Sequence, residues 1–371
     1  MNRVIHVVGA RPNFMKIAPI MNEMSKYPNE FEQILIHTGQ HYDTNMSQLF
    51  FNELELSKPN VNLGVGSGTH AWQIAQIMQR FERVLPEYKP DWVVVPGDVN
   101  STLACALAAS KLGVKVAHVE AGLRSFDRTM PEEINRVLTD HLADLLFTTE
   151  KSGNDNLQHE GIPSEKIHFV GNTMIDTLVR LLPKTQGRWP DMCRRFGLTL
   201  NQRYILVTLH RPSNVDNPAT LREIMKALYE IGREACVIFP VHPRTRHRIV
   251  ALELDVPNIQ SFNVQLVEPF GYLDFLALEA RASLVLTDSG GIQEETTYLG
   301  VPCLTVRPNT ERPVTVTEGT NRLVSNDEAA LIKAVQEAPF GHRDEFKIPT
   351  LRPELWDGHA AARIVKAFIQ G

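Results

Sequence analysis

Short runs of apolar, largely β-branched residues recur along the chain, separated by longer stretches in which apolar positions return at helical spacing. The first half carries four clear runs, Val4 to Val8, Glu32 to Thr38, Trp92 to Pro96 and Val114 to Val119, and Leu145 to Thr149 reads as a fifth. A second series begins with Tyr204 to Leu209 and Ala235 to Val241, followed by Leu284 to Thr287 and Cys303 to Val306. Strand runs alternating with helices predict βαβ units and therefore parallel sheets, and two separate series predict two sheets. Between the series lies LLPKTQGRWPDMCRRFGLTLNQR, with prolines, glycine and little periodicity, so the join falls near Asn172 to Gln202. No repeat of fixed period and no low-complexity tract interrupts the pattern.

In open parallel sheets, ligands bind beyond the carboxyl ends of the strands. The polar motifs fall at those ends. Leu284 to Thr287 breaks into Asp288, Ser289, Gly290 and Gly291, after which Ile292, Thr296 and Leu299 carry helical spacing. Strand, tight turn and helix N-terminus make an anion site, because small residues let N–H groups approach and the first helical turn presents unpaired donors. Glu294 and Glu295 follow at once, so a phosphate guest must also carry something that accepts a carboxylate. The first strand ends in GARPNFMK with Arg11 and Lys16, the third in PGDVNST with Asp98, and the fourth in HVEAGLRS with Glu120. In the second series one strand runs into LHRPSN with His210 and Arg211, and the next into PVHPRT with His242 and Arg244. Taken singly, each is an ordinary solvated charge, turn or helix start, and PEEINR from Pro131 to Arg136 is a good helix N-terminus. Their repeated fall at strand ends is what points to a ligand: diphosphate at one end, a polyhydroxylated group at the other. GARPNF lacks the GxGxxG spacing of a dinucleotide fingerprint.

Composition narrows the partners. The chain has 371 residues, enough for two domains with separate cores, and a formal net charge of -5 with no long basic run. Neither a nucleic-acid surface nor a polybasic membrane patch is expected. The cysteines, Cys105, Cys193, Cys236 and Cys303, form no CxxC and no metal-like cluster, so neither disulfide nor zinc is expected. The apolar run at the N-terminus suits a strand and is too short for a signal peptide, which makes a cytoplasmic location the expectation.

The segments GARPNFMKIAPI, TGQHYDTNMSQLFF, PGDVNST, HVEAGLRSFDRTMPEEINR, LHRPSN, DSGGIQEE and TERPVTVTEGTNRLV together resemble the non-hydrolysing, bacterial type of the UDP-N-acetylglucosamine 2-epimerase family, from Gly9 to about Val324. The resemblance implies an α/β GT-B fold, two Rossmann-like domains with parallel sheets facing a central cleft. The first would span 1–172 plus a C-terminal helix in about 358–371, for which Ala360 to Ile369 is the candidate, and the second 173–357. It also implies a homodimer acting on a UDP-sugar, with no cofactor and no metal. In this family the Ser-Gly-Gly turn holds the UDP diphosphate and the second glutamate receives the ribose hydroxyls, roles that map to Ser289, Gly290, Gly291 and Glu295. An ionised carboxylate is acceptor-only and suits a vicinal diol. Arg312, Arg11, Lys16 and His242 match further substrate contacts, and Phe275 matches a residue near the uracil. Phe270 departs from relatives that place a glutamine against the base.

The family's acid/base residues map to Asp98, Glu120 and Glu132, with His210 near the leaving group and Arg136 in support. Carbon 2 of an N-acetylhexosamine is not next to a carbonyl, so simple deprotonation is implausible. If UDP departs from carbon 1, the carbon 2 hydrogen becomes removable, giving a glycal, and readdition with protonation on the opposite face inverts carbon 2. That needs N–H and cationic stabilisation of UDP and at least two acid/base groups. Gln40, His41 and Arg211, with His242, match part of a second UDP-sugar site that activates some relatives, but NLGVGSGTH offers no basic residue before Arg80 where those relatives use an arginine. Weak or absent activation is the expectation. A UDP-diacetamido-glucuronate 2-epimerase, a hydrolysing epimerase and a GT-B glycosyltransferase remain open as alternatives.

Overall fold

The computed structural model describes residues 1–40, 53–199, 202–254, 263–339 and 352–370. His41 lies outside the described residues. By internal contacts the chain divides into two units, Met1–Arg180 with Glu354–Gly371, and Leu181–Pro353. Among the described residues no helix is long and apolar enough to cross a membrane.

The first unit is built on β1 (Asn2–Val8), β2 (Phe31–His37), β3 (Val61–Asn62), β4 (Trp92–Pro96), β5 (Lys115–Ala121), β6 (Leu145–Thr148) and β7 (Ile167–Phe169). They form one seven-stranded sheet in the order β3-β2-β1-β4-β5-β6-β7, with every neighbouring pair parallel. Central strands such as β4, WVVVP, are buried throughout, as a strand covered by helices on both faces must be. The second unit repeats the plan with β8 (Tyr204–Thr208), β9 (Cys236–Pro240), β10 (Val264–Val267), β11 (Leu284–Thr287), β12 (Cys303–Val306) and β13 (Asn321–Val324). Their order is β10-β9-β8-β11-β12-β13, again parallel. The two-sheet α/β architecture expected from the strand pattern is therefore present, one sheet in each unit.

Each sheet grows first to one side and then to the other, with the reversal between β1 and β4 in the first unit and between β8 and β11 in the second. Loops leaving adjacent strands at such a point run to opposite faces and open a crevice at the strands' carboxyl ends. That rule marks the ends of β1 and β4, and of β8 and β11, before any chemistry is considered.

The C-terminal helix Ala360–Gln370 belongs to the first unit. Its apolar face, Ala360, Ala361, Ile364, Val365 and Phe368, is buried, and Phe368 packs edge-on to Phe31 and Trp92 with ring centroids 6.4 and 5.2 Å apart. Just before it, the fully enclosed Trp356 donates from Nε1 to the Thr149 carbonyl at 2.9 Å.

Candidate functional site

In the first unit the loop after β1 is tied down by Asn13, whose Oδ1 accepts from the backbone of Gly9 and Ala10 at 3.0 and 2.9 Å. Asn13 Nδ2 in turn donates to the Pro96 carbonyl at the end of β4. The helix Arg11–Met24 starts here, with Arg11 exposed on its first turn and Lys16 buried. Lys16 Nζ lies 2.6 Å from Glu120 Oε2, and both side chains are almost inaccessible.

Asp98 and Glu120 lie just beyond the last pair between neighbouring strands β4 and β5, Pro96 with Val119. Gly97 takes φ +65°, a conformation that favours glycine, and a Cβ there would lie 2.8 Å from Lys16 Nζ and displace the ammonium. Asp98 Oδ2 accepts from Arg136 Nη2 and Nε at 2.7 and 3.1 Å. Glu120 sits where the β5–β6 register shifts, with φ +72°. A left-handed glutamate is unusual, and such strain persists only where the surroundings over-determine it. The surroundings here are a buried network. His118 reaches Asp140 from Nδ1 at 2.6 Å and the Gly97 carbonyl from Nε2 at 2.8 Å. Asp140 also binds the Arg124 guanidinium at 2.7 Å and the Gly122 N–H at 3.1 Å. Burial pushes the Asp140 carboxyl up, but His118 and Arg124 outweigh it and hold the group below its usual range.

Glu132 and Glu133 open the helix Pro131–Leu142. Glu133 is buried and accepts from Ser125 N, Ser125 Oγ and Phe126 N at 2.9, 3.0 and 2.8 Å, and from Arg136 Nη1 at 2.5 Å. Glu132 is half-buried and has no such partner among the described residues. Gln40 is buried, its side-chain oxygen accepting from Ser101 N and Oγ at 3.0 and 2.7 Å.

In the second unit, Asp288 organises the end of β8. Its buried carboxylate accepts from the backbone of His210 and Arg211 and from Asn214 Nδ2, at 2.9 to 3.1 Å, and His210 Nδ1 lies 2.8 Å away. Burial pushes this carboxyl up, and His210 with the Arg211 N–H and Asn214 bring it below its usual range. His210 is 59% exposed at its side chain. With Nδ1 turned to the carboxylate, Nε2 is the nitrogen left for a ligand. Arg211 donates from Nε to the Asp288 carbonyl at 3.1 Å, and His242 is the exposed N-cap of Pro243–Ala251, its Nδ1 accepting from Arg244 N at 3.3 Å.

Ser289 caps the helix Gly290–Leu299, whose first residues are half-buried. Helix geometry leaves their N–H groups without intrahelical partners. The Arg312 guanidinium occupies the place a Cβ on Gly290 would fill, so this glycine admits the cation to the helix terminus. Arg312 is buried, with Nε 2.7 Å from Glu294 Oε1 and Nη1 against Glu311. Glu294 therefore answers to Arg312, while its neighbour Glu295 accepts from the Tyr272 hydroxyl at 2.7 Å. Burial pushes the Glu295 carboxyl up to about 7, against the lowering effect of Tyr272. Phe275 stands half-buried one turn along the helix Tyr272–Glu279, and Phe270 packs on Phe196 at 5.7 Å and under Arg195.

The family model for UDP-N-acetylglucosamine 2-epimerases matches residues 23–369. The chain belongs to that family. A UDP-N-acetylglucosamine 2-epimerase of Methanocaldococcus jannaschii is 44% identical over 369 residues, covering 98% of both chains. The UDP-2,3-diacetamido-2,3-dideoxy-D-glucuronate 2-epimerase of Pseudomonas aeruginosa is 43% identical over 325 residues, 87% of this chain and 88% of its own. Among solved structures, the M. jannaschii epimerase in complex with UDP-GlcNAc and UDP superposes with a TM-score of 0.89 at 43% identity, covering 100% of both chains.

For a member of this epimerase family, the geometry sorts the expected residues. Asp98 and Glu120 share the rim of the first sheet, and His210, Ser289, Gly290 and Gly291 share that of the second. Lys16 is engaged by Glu120 and Arg312 by Glu294 and Glu311, so each supports a carboxylate as well as bringing positive charge. The sequence reading passed over His118, Asp140, Tyr272 and the bonding role of Asp288. Asp288 had a usable signal, an acid directly after the apolar run Leu284 to Thr287 and before the Ser-Gly-Gly turn. Asp140 and Tyr272 had none, since each is one polar residue on an otherwise ordinary helix.

Proposed function

We propose that this epimerase interconverts UDP-N-acetylglucosamine and UDP-N-acetylmannosamine by eliminating UDP and adding it back with inversion at carbon 2. The observation that supports this best is the pair of carboxylates at the ends of β4 and β5, each with its own cation, Arg136 for Asp98 and Lys16 for Glu120. In the elimination the C1–O bond breaks, its electrons leave with UDP, and the carbon 2 proton passes to a carboxylate. In the return step a proton is delivered to the opposite face of carbon 2 while UDP oxygen re-forms the bond to carbon 1. Two faces need two groups, and Asp98, Glu120 and Glu132 supply them. The N–H groups at Gly290 and Gly291, the Arg312 guanidinium and His210 Nε2 receive the negative charge on the departing diphosphate. Glu295 takes the ribose hydroxyls, and Phe275 lies at the base.

Proton NMR of UDP-N-acetylglucosamine incubated with the protein tests the reading. An intact UDP-N-acetylmannosamine product is expected. Free N-acetylmannosamine with UDP would indicate the hydrolysing reaction. An inert substrate, alongside turnover of the diacetamido-glucuronate sugar nucleotide, would move the assignment to the activity of the P. aeruginosa relative.

A further inference from the structure

The helix Tyr272–Glu279 carries Tyr272 at its first position and Glu279 at its last. Tyr272 reaches Glu295, but Glu279 plays no part in the reaction described above. Its side chain is 0% exposed, and among the described residues neither carboxyl oxygen meets a hydrogen-bond donor. Among the described residues no cation compensates it: the Arg281 guanidinium packs over the Trp189 ring. The ionisable groups that act on it or feel it are Glu295, the Tyr204 hydroxyl, which donates to the Leu278 carbonyl, and the Cys303 thiol. Tyr204 and Cys303 are buried and themselves pushed toward their neutral forms by burial. Glu294, beside Glu295, is held by Arg312.

A dry carboxyl with no donor and no cation keeps its proton, since an unpaired buried charge costs several kcal/mol. Burial and the Glu295 carboxylate both push Glu279 well above the ordinary carboxyl range. A protonated carboxyl, however, is itself a donor and needs an acceptor. Of the ionisable groups that act on Glu279, the Glu295 carboxylate is the strongest acceptor, and a bond from Glu279 would favour its ionised form. Glu295 would then receive two O–H groups from one helix, the observed one of Tyr272 from the first turn and that of Glu279 from the last.

We propose that Glu279 is a positioning residue for the nucleoside end of the substrate: it donates a hydrogen bond that fixes the Glu295 carboxylate as acceptor for the ribose diol. The inference rests on the assignment of the ribose to Glu295. A neutral carboxyl kept as a donor inside an apolar site is a known device for holding an oxyanion. Here it holds a binding carboxylate.

The test measures calorimetric affinity for UDP and for 2′-deoxy-UDP in wild type, Glu279→Gln and Glu279→Leu, with thermal melting alongside. Glutamine has the shape of the protonated acid and keeps a donor, so Glu279→Gln should bind UDP within about threefold of wild type. Leucine removes the donor, so Glu279→Leu should lose about tenfold for UDP, the scale of one hydrogen bond to a charged group, with little change for 2′-deoxy-UDP. Unchanged UDP affinity in Glu279→Leu overturns the proposal. So does Glu279→Gln losing as much as Glu279→Leu, because rescue by a donor is its content, and this comparison holds even where leucine unsettles the fold. Equal affinity of wild type for the two nucleotides points elsewhere: it removes diol recognition itself, and with it the assignment of Glu295.

Discussion

Glu132 and Glu133 are neighbours in one helical turn, yet their surroundings assign them different work. Adjacent residues on a helix point about 100° apart, and here one direction leads into the Ser125–Phe126 turn and the other away from it. Glu133 is saturated by three donors from that turn and by Arg136. Glu133→Gln should therefore lower stability by roughly 1–3 kcal/mol, the scale of a buried charged hydrogen bond lost, which thermal melting will show. Glu132→Gln should leave melting near wild type, whereas Asp98→Asn and Glu120→Gln take the partner from a buried cation and should lower it; in all three turnover should fall roughly 10²-fold or more while UDP still binds. Near-normal turnover in all three would remove the acid/base assignment. Arg312 illustrates what the sequence could not show. TERP presents it as one more cation for a phosphate, but its guanidinium is buried between Glu294 and Glu311. Arg312→Ala would take a cation from two buried carboxylates, of which Glu311 keeps Arg307, as well as weaken an anion site, and stability and UDP affinity should fall together.

At the level of elements, the strands that the apolar pattern missed are β3, β7, β10 and β13, and these are the edges of the two sheets. An edge strand is covered on fewer sides, so it needs no continuous apolar run: β10, VQLV, is half-buried at every position and β13 reads NRLV. The interior strands were legible because burial on both faces writes itself into composition. The C-terminal helix was legible from the family resemblance, but not its anchor. Asp176 accepts from Ala360 N and Ala361 N at 3.1 and 2.7 Å, capping that helix from the first unit's own core. Burial pushes the Asp176 carboxyl up to about 6 from 3.8, outweighing the two N–H groups. A pKa raised on folding means the folded state binds the proton more tightly, so this stabilising contribution is complete below 3.8 and is lost as pH rises through about 6. Asparagine keeps an acceptor and cannot ionise. The melting temperature of wild type relative to Asp176→Asn should therefore fall between pH 4 and about 7. A difference that grows with pH across that window would contradict the burial argument.

On the scale of the whole molecule, both sheets put their polar residues where the strand order reverses, at β1 with β4 and at β8 with β11. That polar motifs sit at strand ends, and that there are two strand series, was readable from sequence; where the strand order reverses was not. Which cation serves which carboxylate was not, because Lys16 and Glu120, or Arg136 and Asp98, are distant along the chain and meet only through the sheet. Regulation belongs to this scale as well. Gln40, expected at a second UDP-sugar site, has its side-chain oxygen committed to Ser101, and NLGVGSGTH still lacks the arginine that relatives use. Without that cation a second diphosphate would lose a bond of roughly 1.5–3 kcal/mol. The reverse reaction from UDP-N-acetylmannosamine alone should start without a lag, and progress curves that stay flat until UDP-N-acetylglucosamine is added would show the second site to be functional.

The central claim is that carboxylates of the first unit move the proton on carbon 2 while UDP is detached. Solvent exchange measures that directly. UDP-N-acetylglucosamine incubated with wild-type protein in deuterated water should yield both sugar nucleotides carrying deuterium at carbon 2, and only there, with the label appearing at least as fast as the epimer. Epimer formed with the original hydrogen still on carbon 2 would contradict the account.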